Sequence, residues 1–204
     1  EADILIGTQM IVKGHDFPDV TLVGVLAADL SLHVGDYRAA ERTFQLLTQA
    51  AGRAGRGNKP GEVVIQTYDP EHYSIETAKA QPYDAFYEQE IAYRKIMLYP
   101  PVWNMLVILC ASKSEEAADA MAAELAAAAD AYTGKNTKEK VYLVGPVDAA
   151  IAKVNDIYKK IIYLKAENYD TLVKIKNRTE VYARESRYYK NVTVMFDFNP
   201  VNGF

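Results

Sequence analysis

The chain has 204 residues, half of them hydrophobic and a quarter charged, with 11 Gly, 8 Pro, one Cys and a formal net charge of −4. These proportions belong to a globular chain and exclude disorder, collagen-like repeats and low-complexity scaffolds. No apolar run approaches the ~18 residues of a spanning helix, and no basic-then-apolar leader opens the chain. One cysteine and three scattered histidines can form neither an internal disulfide nor a structural zinc site, so no metal is expected here and the expected setting is the reducing cytoplasm. The charge is uneven. Residues 1–100 hold 9 Lys and Arg against 14 Asp and Glu, whereas residues 153–190 hold 10 against 5, interleaved with six tyrosines. Two domains are expected, 1–100 and 101–204.

In chain order, Asp3–Gly7 reads as a short apolar strand, and Val20–Ala28 as a parallel strand buried on both faces. Ala39–Ala51 has Phe44, Leu47 and Ala51 on one helix face, glycines end it, and Glu62–Thr67 is a further strand. This alternation predicts an α/β layer with a parallel sheet, and because the chain opens mid-pattern the sheet is expected to be incomplete, as in a piece of a longer protein. Pro82 starts a helix that Pro100-Pro101 stops. Met105–Ala111 is a strand, and Ser112 with Glu115 suggests a capping box for a helix whose Ala118, Met121, Ala122, Leu125, Ala129 and Tyr132 form a stripe. Val141–Val144 and Lys160–Ala166 read as strands joined by a long loop, followed by a helix over Asn168–Ser186 with Tyr169, Leu172 and Val173 inward. Val192–Phe198 alternates as a strand. The order strand–helix–strand–strand–helix–strand predicts a ferredoxin-like split βαβ sandwich.

Two stretches carry chemistry. In Gln49-Ala50-Ala51-Gly52-Arg53-Ala54-Gly55-Arg56, two planar, always-charged forks end a helix among glycines, a composition that suits a phosphate. A glycine-rich helix cap with solvated arginines is the other reading. In Gly7-Thr8…Lys13-Gly14-His15-Asp16, a strand ends in backbone amides with Thr8 and Lys13 nearby, suited to a nucleic-acid phosphate, while Asp16 can accept from a ribose hydroxyl or orient an arginine. An ordinary strand–turn–strand connection remains open for it. In the second half, Lys153, Tyr158, Lys159, Lys160, Tyr163 and Lys165 fit backbone-directed binding of DNA with base stacking, or else a solvated basic face over core tyrosines. Cys110 reads as buried filler, His15, His33 and His72 as turn or loop residues, and Glu88 and Glu90 lie on different helix faces.

Taken together and in this order, the two stretches resemble motifs V and VI of superfamily-two helicases. The run Asp36-Tyr37-Arg38-Ala39-Ala40-Glu41-Arg42-Thr43-Phe44-Gln45-Leu46-Leu47-Thr48-Gln49 sharpens this to the primosomal protein N-prime family of replication-restart helicases. So do Pro100-Pro101, Gly145-Pro146, Ile151-Ala152-Lys153-Val154-Asn155, Tyr158-Lys159, Lys165 and Asp197-Phe198-Asn199-Pro200. Lys159 stands where that pattern leads one to expect Arg.

The resemblance implies a partial RecA-like helicase lobe followed by the ferredoxin-like domain. It implies ATP with Mg²⁺ as cofactor of the intact enzyme, with zinc confined to an upstream region. No G-x-x-x-x-G-K-[ST] occurs in this chain, so the fragment alone is expected neither to hydrolyse ATP nor to unwind DNA. On the same resemblance Arg53 and Arg56 (with Gly52) meet the nucleotide phosphates, Gln49 positions nucleotide or water, Thr8 and Lys13 hold the single strand, and Asp16 couples the two. Implied partners are single-stranded and forked DNA, the tail of single-strand binding protein, and helicase-loading proteins of the primosome. Another superfamily-two repair or fork-reversal translocase, and a non-catalytic DNA- or protein-binding module, are the alternatives.

Overall fold

The computed structural model describes residues 3–8, 19–55, 60–80, 83–136 and 139–201. They form two compact units, Glu1–Ile91 and Ala92–Phe204.

In the first unit β1 (Leu22–Val25) pairs in parallel with β2 (Glu62–Ile65), Leu22 opposite Glu62 and Val25 opposite Ile65. Between them run a 3₁₀ turn (Ala28–Ser31) and α1 (Ala39–Ala51); α2 (Tyr73–Ala80) and the start of α3 (Tyr83–Met97) follow. Val25 and Ile65 pack on a core of Phe44 and Leu47 from α1, Ile75 and Ala78 from α2, and Phe86 from α3. The Phe44 and Phe86 rings stack at 4.2 Å. Asp36 supports the start of α1, accepting from Arg38 N–H at 2.9 Å and pairing with Arg42 at 2.8 Å, with its negative charge at the positive helix end.

Two expectations are corrected in this unit. No strand forms over Asp3–Gly7: Ile4 and Ile6 are 78% and 89% exposed, and among the described residues no strand pairs with them. Val20–Ala28 shortens to four strand residues covered on one face only, because Leu22 and Val64 stay more than half exposed on the face opposite the helices. A parallel strand is buried on both faces only where something covers both.

In the second unit β3 (Asn104–Ser112), α4 (Glu115–Asn136), β4 (Val141–Val154), β5 (Ile157–Ala166), α5 (Tyr169–Glu185) and β6 (Thr193–Phe198) build an antiparallel sheet ordered β4-β5-β3-β6. The core joins Leu106, Ile108 and Cys110 of β3 and Ile162, Leu164 and Ala166 of β5 to Met121, Leu125 and Ala129 of α4 and Leu172 and Ile175 of α5. Alanine favours the helix and, being small, lets α4 approach the sheet closely. The opposite sheet face, with Met105, Val107, Leu109 and Ile161, is also buried. Residues 97–103 touch that side: Lys165 Nζ donates to the Met97 carbonyl at 2.9 Å, and the Trp103 and Tyr142 rings lie 5.6 Å apart.

The expected long loop is instead a β4–β5 hairpin whose register shifts twice, between Val144 and Val147 and between Asp148 and Lys153. Asn155 and Asp156, at φ 50° and 60°, make the two-residue turn that right-twisted strands favour. Gly145-Pro146, which punctuates the sequence like a loop, is a bulge where the register with β5 shifts between Val144 and Val147. Gly145 has φ +106°, and a Cβ there would lie 2.6 Å from the Ile161 carbonyl oxygen, so glycine is required. The cap of α4 is Ser114, whose Oγ accepts from Ala117 N–H at 3.2 Å, while Ser112 Oγ donates to the Asn191 carbonyl. Tyr169, expected inward, is 45% exposed.

Candidate functional site

The arginine-bearing stretch begins where α1 runs out of helical residues. Gly52 caps the helix, its N–H returning to the Thr48 carbonyl at 3.0 Å, and Arg53 N–H donates to Ala50. The chain is then fastened to the entrance of the sheet: Gly55 N–H donates to the Val20 carbonyl at 3.0 Å, and Glu62 N–H to Thr21 at 2.8 Å. Gly55 has φ +72°, and an added Cβ would lie 2.7 Å from the Gly61 nitrogen. A Cβ on Gly61 would lie 2.2 Å from the Gly55 nitrogen. Two backbone segments therefore touch where no side chain fits, and the glycines have a structural reason of their own. Gln49 and Gly52 are exposed and Arg53 is half-buried, on a turn held by backbone bonds. Thr8 is exposed. Arg56, Lys13 and Asp16 lie outside the described residues.

This turn stands at the N-terminal ends of the two parallel strands. Open parallel sheets usually form ligand crevices at the opposite, carboxyl ends. Here that end is sealed by Asp29, which sequence reasoning did not single out. Its carboxylate accepts from the Thr67 hydroxyl, from Tyr68 N–H at 2.9 Å and from Asp69 N–H at 3.2 Å. These bonds hold its pKa below the ordinary carboxylate value, the Thr67 hydroxyl most of all. An Ala-Ala-Asp just past the end of an apolar strand is the available sequence signal. Nearby, buried Glu90 accepts from Tyr73 OH at 2.5 Å, and burial lowers the pKa of His72.

In the second unit the structure separates the lysines by what they touch. Lys153, at the hairpin tip, pairs with Asp156 at 3.0 Å and lies over the Tyr158 ring, and its pKa is raised, first by the Asp156 bond. Lys160 has its side chain only 12% exposed and bridges Asp119 of α4 (2.8 Å) and Asp148 of β4 (2.7 Å), which raises its pKa strongly. Lys165 lies 3.8 Å from the Tyr99 ring centroid and ends α3 at the Met97 carbonyl, where a cation meets the negative helix end. Burial lowers its pKa. Lys159 is half-buried, without a carboxylate partner among the described residues. The hairpin thus brings Lys153 and Tyr158 together at its tip, with Lys159 on the other face of β5, and it spends Lys160 and Lys165 on internal contacts.

Cys110 is fully buried, and its thiol is pushed up to about 12. Among the described residues no group of three His, Cys, Asp or Glu could hold a metal, and no helix is long and apolar enough to cross a membrane.

Residues 95–201 match the family described as Primosomal protein N C-terminal domain. The chain is similar to the replication restart protein PriA of Bacillus subtilis, 44% identical over 201 residues, 98% of this chain and 24% of that protein. It is similar also to the replication restart protein PriA of Synechocystis, at 39% over 175 residues (86% and 20%). The same holds for that of Treponema pallidum, at 36% over 200 residues (98% and 29%). The chain spans about a quarter of the length of these relatives. With its second unit matched by the family profile and nearly its whole length aligned to such relatives, the chain belongs to the PriA family.

Proposed function

We propose that this chain is the C-terminal part of an ATP-dependent superfamily-two DNA helicase that restarts replication at forked DNA in the cytoplasm. In this reading residues 1–100 close a RecA-like second motor lobe and residues 101–204 form a ferredoxin-like DNA- and partner-binding domain. The observation that carries it is the rigid turn at the sheet entrance, where backbone bonds from Gly52 and Gly55 fix the segment bearing Arg53. A guanidinium on a fixed turn, away from the end where a parallel sheet builds its own crevice, suits delivery to phosphates held elsewhere in a longer polypeptide.

The donor set fits a nucleotide's phosphates and not its metal. Arg53 and Arg56 offer forked cationic donors, whereas the described residues hold no cluster of metal ligands. Bound ATP with Mg²⁺ supplies the phosphoryl group and the charge neutralisation for its transfer. This chain contributes Arg53 and Arg56 to orient and neutralise phosphate oxygens, Arg56 as the finger, and Gln49 to position nucleotide or water. Thr8 and Lys13 hold a strand backbone, and Asp16 couples that contact to the nucleotide. Partners of the intact protein are single-stranded and forked DNA, the tail of single-strand binding protein and helicase-loading proteins.

The test is Arg56→Ala in the full-length protein. A finger contributes roughly 10³–10⁵ in rate, so DNA-stimulated ATPase should vanish while melting is unchanged. Near-normal turnover in that variant removes the assignment.

A further inference from the structure

We propose that the nucleic-acid face of the second unit is the exposed side of α5 with the turn after it, rather than the β4–β5 hairpin, and that it takes single-stranded DNA. This rests on the reading of the unit as DNA-binding. The basic, tyrosine-rich stretch 153–190 divides in the fold into two surfaces. On the hairpin, the charges of Lys153 and Lys160 are met by carboxylates and Lys165 is committed to a carbonyl and a ring, which leaves half-buried Lys159 as its one lysine without such a partner among the described residues. On α5 the situation is reversed.

Lys174, Arg178 and Tyr182 are spaced four apart and so share one helix face, and all three are exposed. Neither Lys174 nor Arg178 has a carboxylate partner among the described residues. The Arg178 guanidinium lies 4.8 Å from the Tyr182 ring centroid, with Nη2 3.5 Å from the hydroxyl. A stacked guanidinium keeps its edge N–H groups for phosphate oxygens, and a tyrosine that is 43% exposed keeps surface for a base. Beyond the helix Arg187 and Lys190 likewise have no carboxylate partner among the described residues.

The carboxylates on α5 do not cancel this face. Glu180 is held by Lys176 and Arg184 on the neighbouring side, which lowers its pKa. That leaves Asp170, one turn before Lys174 and in no ion pair with it among the described residues, and Glu185 at the C-terminal end of the stripe. Eight residues of helix rise about 12 Å, enough for Lys174 and Arg178 to meet neighbouring phosphates of one strand. The exposed ring selects an unstacked base, hence a single strand over a duplex.

The experiment measures anisotropy of a labelled oligothymidylate with the whole chain across a salt series, for wild type, K174Q/R178Q, Y182A and the hairpin control K153Q/K159Q. Urea midpoints read by Trp103 fluorescence check folding. K174Q/R178Q should weaken low-salt binding about tenfold or more and flatten the slope of log K against log salt by about 1.4, roughly 0.7 per lost contact on a single strand. Y182A should weaken binding about tenfold with the slope kept. The hairpin control should match wild type. Loss in the hairpin control with α5 variants unaffected overturns the assignment, as do α5 variants that all bind like wild type; the DNA reading of the unit then survives. If wild type shows no salt-dependent binding, that reading fails and this one with it. A response to an acidic peptide but not to the oligonucleotide makes α5 a protein-docking face and also overturns the inference.

Discussion

Lys160→Met separates a structural lysine from a nucleic-acid lysine. The Nζ of Lys160 lies 2.8 Å from Asp119 and 2.7 Å from Asp148, tying α4 to the edge strand through β5. Fully buried charge-assisted bonds contribute about 1.5–3 kcal/mol each, and exposed ion pairs about 0.2–1 kcal/mol. Here the lysine side chain is only 12% exposed but the carboxylates are 52% and 60% exposed, so an intermediate value of about 0.5–1.5 kcal/mol per contact applies. Methionine keeps the stem and removes both contacts, for a loss of about 1–3 kcal/mol. With a urea slope near 2 kcal/mol/M, the midpoint should fall by about 0.5–1.5 M. Trp103 reports this cleanly, because it is the single tryptophan of the chain and lies against Tyr142 in the same unit. Asp119→Asn and Asp148→Asn should each cost less, and should cost almost nothing in the Lys160→Met background. The pH signature follows from the raised lysine pKa. The ammonium contributes in full below the unfolded value of about 10.4, and the contribution is lost as pH rises through the higher folded value. The difference between wild type and Lys160→Met is therefore flat from neutral pH to about 9 and closes only in strong alkali. An unchanged midpoint together with weakened oligonucleotide binding would refute this account of Lys160.

Three further outcomes are expected. Gly55→Ala forces a left-handed backbone, at about 1–2 kcal/mol, and drives a Cβ toward the Gly61 nitrogen, so amide exchange in Glu62–Ile65 should speed up at least about tenfold; unchanged protection would show that the close approach carries no stability. Asp29→Asn should destabilise the first unit at neutral pH. Because the folded pKa of Asp29 is depressed, its contribution is present above the ordinary value near 3.9 and lost as pH falls through the folded one, so melting curves of the two proteins should converge in acid; a gap independent of pH would contradict this. Cys110, fully buried with its thiol pushed up to about 12, should resist an aromatic disulfide reagent at pH 8 until urea unfolds the second unit, and rapid native labelling would sink that reading.

Periodicity was a sound guide wherever a segment packs on one face of its own unit. The α4 stripe from Ala118 to Ala129 and the alternation of β6 depend only on the residue spacing of a helix or strand, and they pack as read. Periodicity misled where a neighbour decides the outcome. Asp3–Gly7 is apolar enough for a strand, yet strands form by pairing, and none of the described residues pairs with it. Gly145-Pro146 and the alanines after it look like a loop, yet β5 supplies a partner ladder that absorbs the bulge and carries β4 on to Val154.

The motif residues divide the same way. Chain order alone showed that Gln49, Gly52 and Arg53 end a helix among glycines, because helix capping is local chemistry. That Gly55 and Gly61 must be glycine only tertiary structure could decide, since the Cβ clash is between segments six residues apart in sequence that the sheet entrance presses together. Likewise the sequence shows a basic stretch with tyrosines, but charge is spent or kept according to what lies across space. Asp119 and Asp148 reach Lys160 through the packing of α4 and the pairing of β4, while Lys174 and Arg178 are left facing water.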